Sequence, residues 1–115
     1  MKRGDIYIAD LDPAIGSEQR GKRPVIIVQN DTGNMYSPTT IVVPITSSSK
    51  KPMQPTHVNM PVSKALLKRS FALAEQIMRI DKRRLLIKKG NLSKWYMDKI
   101  DAAILVAVGI GEKLP

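Results

Sequence analysis

The sequence predicts a mainly β domain of the α+β class, a small barrel or curled sheet with one helix packed at its C-terminal end. Three observations predict it. Short β-branched and apolar runs, separated by turn residues, fill the first 80 residues. The run Val25-Ile26-Ile27-Val28 is apolar at every position, as in a strand buried on both faces. Beyond residue 90 the apolar period changes to three and four residues, the mark of an amphipathic helix.

The elements follow in order. Ile6–Ala9 is a short strand ended by Asp10-Leu11-Asp12-Pro13. A charged loop spans 12–23, and the apolar strand 25–28 follows Pro24. Asn30-Asp31-Thr32-Gly33-Asn34 is a turn cluster. Thr39–Thr46 is β-branched, and its Pro44 argues for a strand end, an edge or a bulge. The polar piece Ser47-Ser48-Ser49-Lys50-Lys51-Pro52 reads as a loop, and Thr56–Met60 as a half-buried strand. Ser63 is placed to cap a helical turn through Leu66-Leu67. Segment 70–80 has both strand and helix character, and propensity does not decide between them. Asn91 or Ser93 caps the final helix, whose apolar face is Tyr96, Ile100, Ala103, Ile104, Ala107 and Val108, and Gly109 and Gly111 stop it.

Length and composition narrow the chemistry. The 115 residues suit one domain, 1–115, and 43% hydrophobic residues supply a core. There is no cysteine and one histidine, His57, which excludes disulfides, thiolate metal sites, a cysteine nucleophile and a histidine metal cluster. His57 lies in an alternating strand and reads as structural. Asp10 and Asp12 flank one position, but a metal there lacks a nameable third ligand. No signal peptide and no apolar run long enough to span a bilayer is visible, so a cytoplasmic protein is expected. The net charge is +9: residues 1–57 carry seven Lys/Arg against five Asp/Glu, and residues 58–115 carry twelve against five. Such a field attracts polyanions. The set Lys82-Arg83-Arg84-Lys88-Lys89 reads as a solvated face or a general phosphate contact.

What remains for chemistry is Arg, Glu, Gln, Thr and Ser at loop–strand junctions. That set suits RNA cleavage without a metal. The 2′-OH of RNA attacks the adjacent phosphorus, and a protein need only move two protons and stabilise charge on the non-bridging oxygens. A planar, always-charged guanidinium fits the last task, and Arg23, entering a rigid strand through Pro24, is the best placed. Read from spacing alone, Arg23 as a surface charge, Thr46 as a strand residue, and Glu18 and Gln19 as loop solvation all stay open.

Five blocks narrow the reading: "RGDIYIADLDP" at 3–13, "GSEQRGKRPVIIVQND" at 16–31, "SPTTIVVPIT" at 37–46, "PTHV" at 55–58 and "AEQIMRIDKRRL" at 74–85. In this order they resemble the MazF/PemK family of endoribonuclease toxins over nearly the whole chain. The resemblance implies an SH3-like antiparallel barrel of the CcdB/PemK type with a C-terminal helix, a homodimer, and no cofactor or metal. It implies metal-independent, sequence-specific cleavage of single-stranded mRNA to a 2′,3′-cyclic phosphate and a 5′-OH. It implies an acidic MazE-like antitoxin whose disordered tail blocks the site. By motif position, Arg23, Thr46 and Glu18 are the expected catalytic residues. Ser17, Gln19, Arg20, Lys22 and Gln76 are the expected RNA contacts. Two other activities suit such a barrel: a CcdB-like gyrase poison, and a non-catalytic RNA-binding module.

Overall fold

A computed structural model describes residues 1–47 and 54–111. Most of the expected 47–52 loop lies outside the described residues. The described chain forms seven strands and two helices: β1 Asp5–Asp10, β2 Lys22–Ile27, α1 Asp31–Tyr36, β3 Thr39–Thr46, β4 His57–Met60, β5 Ser70–Leu73, β6 Met78–Asp81, β7 Leu85–Asn91 and α2 Lys94–Ala107. The strands make one antiparallel sheet in the order β4-β5-β3-β2-β1-β7, with β6 paired to β3 off this path. The mainly β class and the packed terminal helix hold. The hydrogen-bonded ladder is open, because β4 and β7 at its two ends do not pair.

The middle of the sheet is the apolar strand. Val25, Ile26 and Ile27 have no exposed surface, with β1 on one side and β3 on the other. The pleat sends alternate residues to opposite faces. Ile26 joins Ile6, Val43 and Ile45 under Met97, Ile100 and Ala103 of α2. Val25 and Ile27 join Ala9, Leu11, Val42 and Ile80 on the other face. The expected helix face is therefore right at Ile100 and Ala103, with Tyr96, Ile104 and Ala107 packed at its margin. Val108 is a correction: it lies half exposed as the C-cap, one residue past the helix.

The structure refines the remaining elements as well. β2 starts at Lys22, so Lys22 and Arg23 belong to the strand and not to the loop. Pro44 lies inside β3, fully buried and opposite Val25. β3 tolerates it because its far edge changes partner there, from β6 along Thr39–Val42 to β5 along Ile45–Thr46. A residue with no N–H loses nothing in that gap. The turn cluster after Gln29 becomes α1: Asn30 Oδ1 accepts the Gly33 N–H at 2.8 Å as N-cap, and buried Asn34 bonds to the Gln29 carbonyl, Asp31 and Thr40. Segment 70–80 divides into β5, a 3-10 turn at Ala74–Gln76 and β6, which uses both of its propensities. Ser63 does accept the N–H groups of Ala65 and Leu66 at 3.2 Å, but the turn does not extend into a helix. The basic stretch after Arg84 is strand β7, an edge whose lysines suit its unpaired side.

The N-terminal Arg-Gly-Asp is structural. Arg3 donates from Nε to the Val28 carbonyl at 3.1 Å, pairs with Asp101 of α2, and offers its backbone N–H to Asp31 at 2.7 Å. Gly4, at φ +94, turns the chain so that its N–H reaches the Ile27 carbonyl at 2.8 Å.

Ile26→Ala removes a side chain shared by the sheet and α2. It is expected to cost about 2–5 kcal/mol in urea unfolding, while Leu86→Ala on the exposed edge strand changes stability by about 0.5 kcal/mol or less. Equal losses in the two variants would contradict the placement of the core.

Candidate active site

Arg23 stands at the start of β2, opposite Ala9 of β1. The β2–β3 ladder pairs Val25 with Pro44. Two residues further along each strand, the same register leads to Arg23 and Thr46. Alternation puts both on the face shared by Val25, Ile27 and Val42. Thr46 is buried, at the end of β3, with Phe71 of β5 opposite. Arg23 is half-buried, and its Nε donates to the Arg20 carbonyl at 2.6 Å. That bond restrains the guanidinium, and Arg23 lines the groove beside it.

This groove has a volume of about 540 Å³. Arg20, Lys22 and Arg23 form one wall; Lys64, Lys68 and Lys89 line the rest; no carboxylate is among its lining residues. Ile45, Ser47 and Ser70 contribute to its floor at the end of β3. An anion here meets cations from three separate parts of the chain.

The expected loop residues divide. Arg20 and Lys22 share the groove with Arg23. Ser17, Glu18 and Gln76 line a separate depression with Ile15 and Glu75. Glu18 accepts the Ile15 N–H at 2.6 Å and so closes its own loop. The Gln19 backbone N–H donates to Gln76 Oε1 at 3.1 Å, so Gln76 ties the loop to the 3-10 turn. The loop's base is held by the Asp12 carboxylate, which accepts the Gly21 N–H at 3.1 Å, and by Arg84, which donates to the carbonyls of Asp10 and Asp12. The paired aspartates thus act as loop acceptors, and Arg84 as a clasp.

His57 is buried as expected, with Nε2 3.0 Å from Glu75 Oε2. Burial works to raise the Glu75 carboxyl. Hydrogen bonds from its own backbone N–H, from His57 and from Thr56 Oγ1 outweigh it and hold the group below the usual carboxylate range. Glu75 precedes Gln76, so this tie to the buried His57 steadies the residue that holds the loop.

Sequence reading missed Lys64 and Lys68, and gave Lys89 only as part of a solvated face or general phosphate contact, not as a groove residue. Lys64 and Lys68 surround the turn capped by Ser63, and Lys89 sits on an edge strand far away in sequence. Spacing alone carries no sign that the two segments meet.

Among known proteins, a sequence family described as PemK-like, MazF-like toxin of type II toxin-antitoxin system matches residues 2–108. The chain is 47% identical over 111 residues to Endoribonuclease EndoA of Bacillus subtilis (strain 168), covering 96% of each protein. Its structure resembles a mycobacterial endoribonuclease in complex with its cognate antitoxin, with TM-score 0.82, 26% identity, and 98% and 99% of the two chains covered. It also shares its fold with MazF of Deinococcus radiodurans, at TM-score 0.83, 20% identity, and 96% and 97% coverage.

A carboxyl with a depressed pKa stabilises the fold above the usual carboxylate range, and that contribution is lost as pH falls through its lowered value. Glu75→Gln is therefore expected to reduce the loss of stability on acidification between about pH 5 and pH 3, read from urea midpoints at each pH. An unchanged pH dependence would contradict the anchoring role.

Proposed function

The chain belongs to the PemK-like, MazF-like toxins of type II toxin–antitoxin systems, and on that premise we propose that it is an endoribonuclease that cleaves single-stranded mRNA at a short sequence without a metal ion. One observation supports this most: Arg23 stands on a buried strand, beside the end of β3 that carries Thr46, at a groove lined by cations.

The chemistry follows from those groups. The substrate's 2′-oxygen forms a bond to the adjacent phosphorus while the bond from phosphorus to the 5′-oxygen breaks. A proton leaves the 2′-OH and a proton reaches the departing 5′-oxygen, giving a 2′,3′-cyclic phosphate and a 5′-OH. Negative charge grows on the non-bridging oxygens, where the Arg23 guanidinium offers two parallel donors. The Thr46 hydroxyl supports the same phosphate. Arg20 and Lys22 neutralise the flanking backbone. Glu18 takes the 2′-proton once RNA binding draws it from the Ile15 N–H, and Ser17, Gln19 and Gln76 position nucleotides beside it. Arginine is a poor base near neutrality, so the carboxylate is the better proton acceptor.

An acidic, disordered antitoxin tail is the natural inhibitor of a groove this positive, and it competes with RNA for it. The toxin acts as a homodimer in the cytoplasm. No helix among the described residues is long and apolar enough to cross a membrane.

Purified protein is expected to cut mRNA in the presence of EDTA, and Arg23→Ala to lower kcat by roughly 10²–10³ while unfolding at the same urea midpoint. A substrate with a single 2′-deoxy substitution at the cut site is expected to stay intact. Full activity in the variant, or cleavage of the deoxy substrate, would refute the mechanism.

A further inference from the structure

Lys64, Lys68 and Lys89 have no part in the chemistry above, yet they share one groove with Arg23. All three are exposed, and none makes an ion pair with a described residue. The contrast with neighbouring cations is informative. Lys88 is 3.5 Å from the buried carboxylate of Asp5, Arg83 pairs with Asp81 at 3.1 Å, and Arg84 bonds to two carbonyls. Those three have partners within the fold, whereas Lys89, next to Lys88 on an edge strand, lines the groove.

The backbone is arranged to bring these lysines together. Gly90 follows Lys89 where β7 passes the turn capped by Ser63, and a Cβ on Gly90 would lie 3.1 Å from the Ala65 Cβ. A side chain at this position would require the turn to give way by a few tenths of an ångström. Leu66 is buried in the core and anchors the turn, while Ser63 Oγ holds the N–H groups of Ala65 and Leu66. Lys64 and Lys68 thus project from an anchored segment, and β7 delivers Lys89 beside it. Three like charges that line one groove, with no carboxylate among its lining residues, repel one another in the free protein. A polyanion removes that repulsion.

We propose that Lys64, Lys68 and Lys89 form a second phosphate track, which grips single-stranded RNA several nucleotides from the cut and makes efficient cleavage depend on substrate length. This rests on the ribonuclease reading of the Arg23 site. The lysines hold the backbone and leave the reacting phosphate to Arg23, so they govern binding and not the chemical step.

The test compares the wild type with Lys64→Ala/Lys68→Ala/Lys89→Ala, and with Lys94→Ala/Lys99→Ala on α2, outside the groove. The binding probe is fully 2′-O-methylated single-stranded RNA, which cannot be cleaved, in lengths from about 4 to about 16 nucleotides. The triple variant is expected to melt like the wild type, bind the longest probe roughly tenfold more weakly, and lose about 2 from the salt slope, at about 0.7 per phosphate contact. On the shortest probe it is expected to match the wild type. With cleavable mRNA its KM rises and its kcat is kept. A similar loss in the α2 variant would overturn the proposal by showing a general field effect. Unchanged RNA binding with weakened antitoxin binding would overturn it in favour of a protein-docking surface. A fall in kcat with binding intact would also overturn it. If neither protein cleaves any transcript but the length-dependent binding difference persists, the track stands and the ribonuclease reading falls.

Discussion

The structure depends on the burial of β2 on both faces. An all-apolar strand between two neighbours cannot slip register, since a shift of one residue would send Ile26 and its neighbours to the wrong face. Whatever extends from its start is then fixed as well as the core. Arg23 is that extension, two residues before Val25, and Pro24 between them stiffens the link. A guanidinium on a free loop would spend binding energy on its own ordering. Here the folding of the core has already done so.

Around that strand, most of the charged groups of the first 31 residues act as fasteners. Arg3 joins Val28 just past β2 to α1 and α2, and Asp12 with Arg84 closes the base of the loop that precedes β2. Gln76 holds the loop's middle, backed by the bonds among Thr56, His57 and Glu75. The outcome is a groove whose wall positions are set by the fold and whose cations meet no carboxylate among its lining residues. Two kinds of cation result, those satisfied by the protein and those left for a polyanion.

Legibility in the sequence follows the range of the interactions. Residues whose fate is set by their neighbours were readable: the apolar run at 25–28, the period of α2 and the role of His57. Arg23 and Thr46 came from motif position, and the register from Val25 and Pro44 leads to the same pair. What escaped depends on contacts distant in the chain. Pro44 reads as a strand end, an edge or a bulge, and nothing nearby in sequence decides among them, because its partner change from β6 to β5 lies in the pairing. The edge strand at 85–91 is lysine-rich and carries a glycine, so its β character comes from pairing with β1. Asn30 and Asn34 signalled a turn by side chains that serve equally well to begin a helix. Lys64 and Lys89 line one groove because β7 passes close to the turn at Ser63, with Gly90 against Ala65.

The most direct measurement is a crystal structure of the protein with RNA blocked by a 2′-deoxy residue at the cut. The account predicts the scissile phosphate bonded to the terminal nitrogens of Arg23 and to the Thr46 hydroxyl. A scissile phosphate that touches neither side chain, with Arg23 turned away from it, would contradict it.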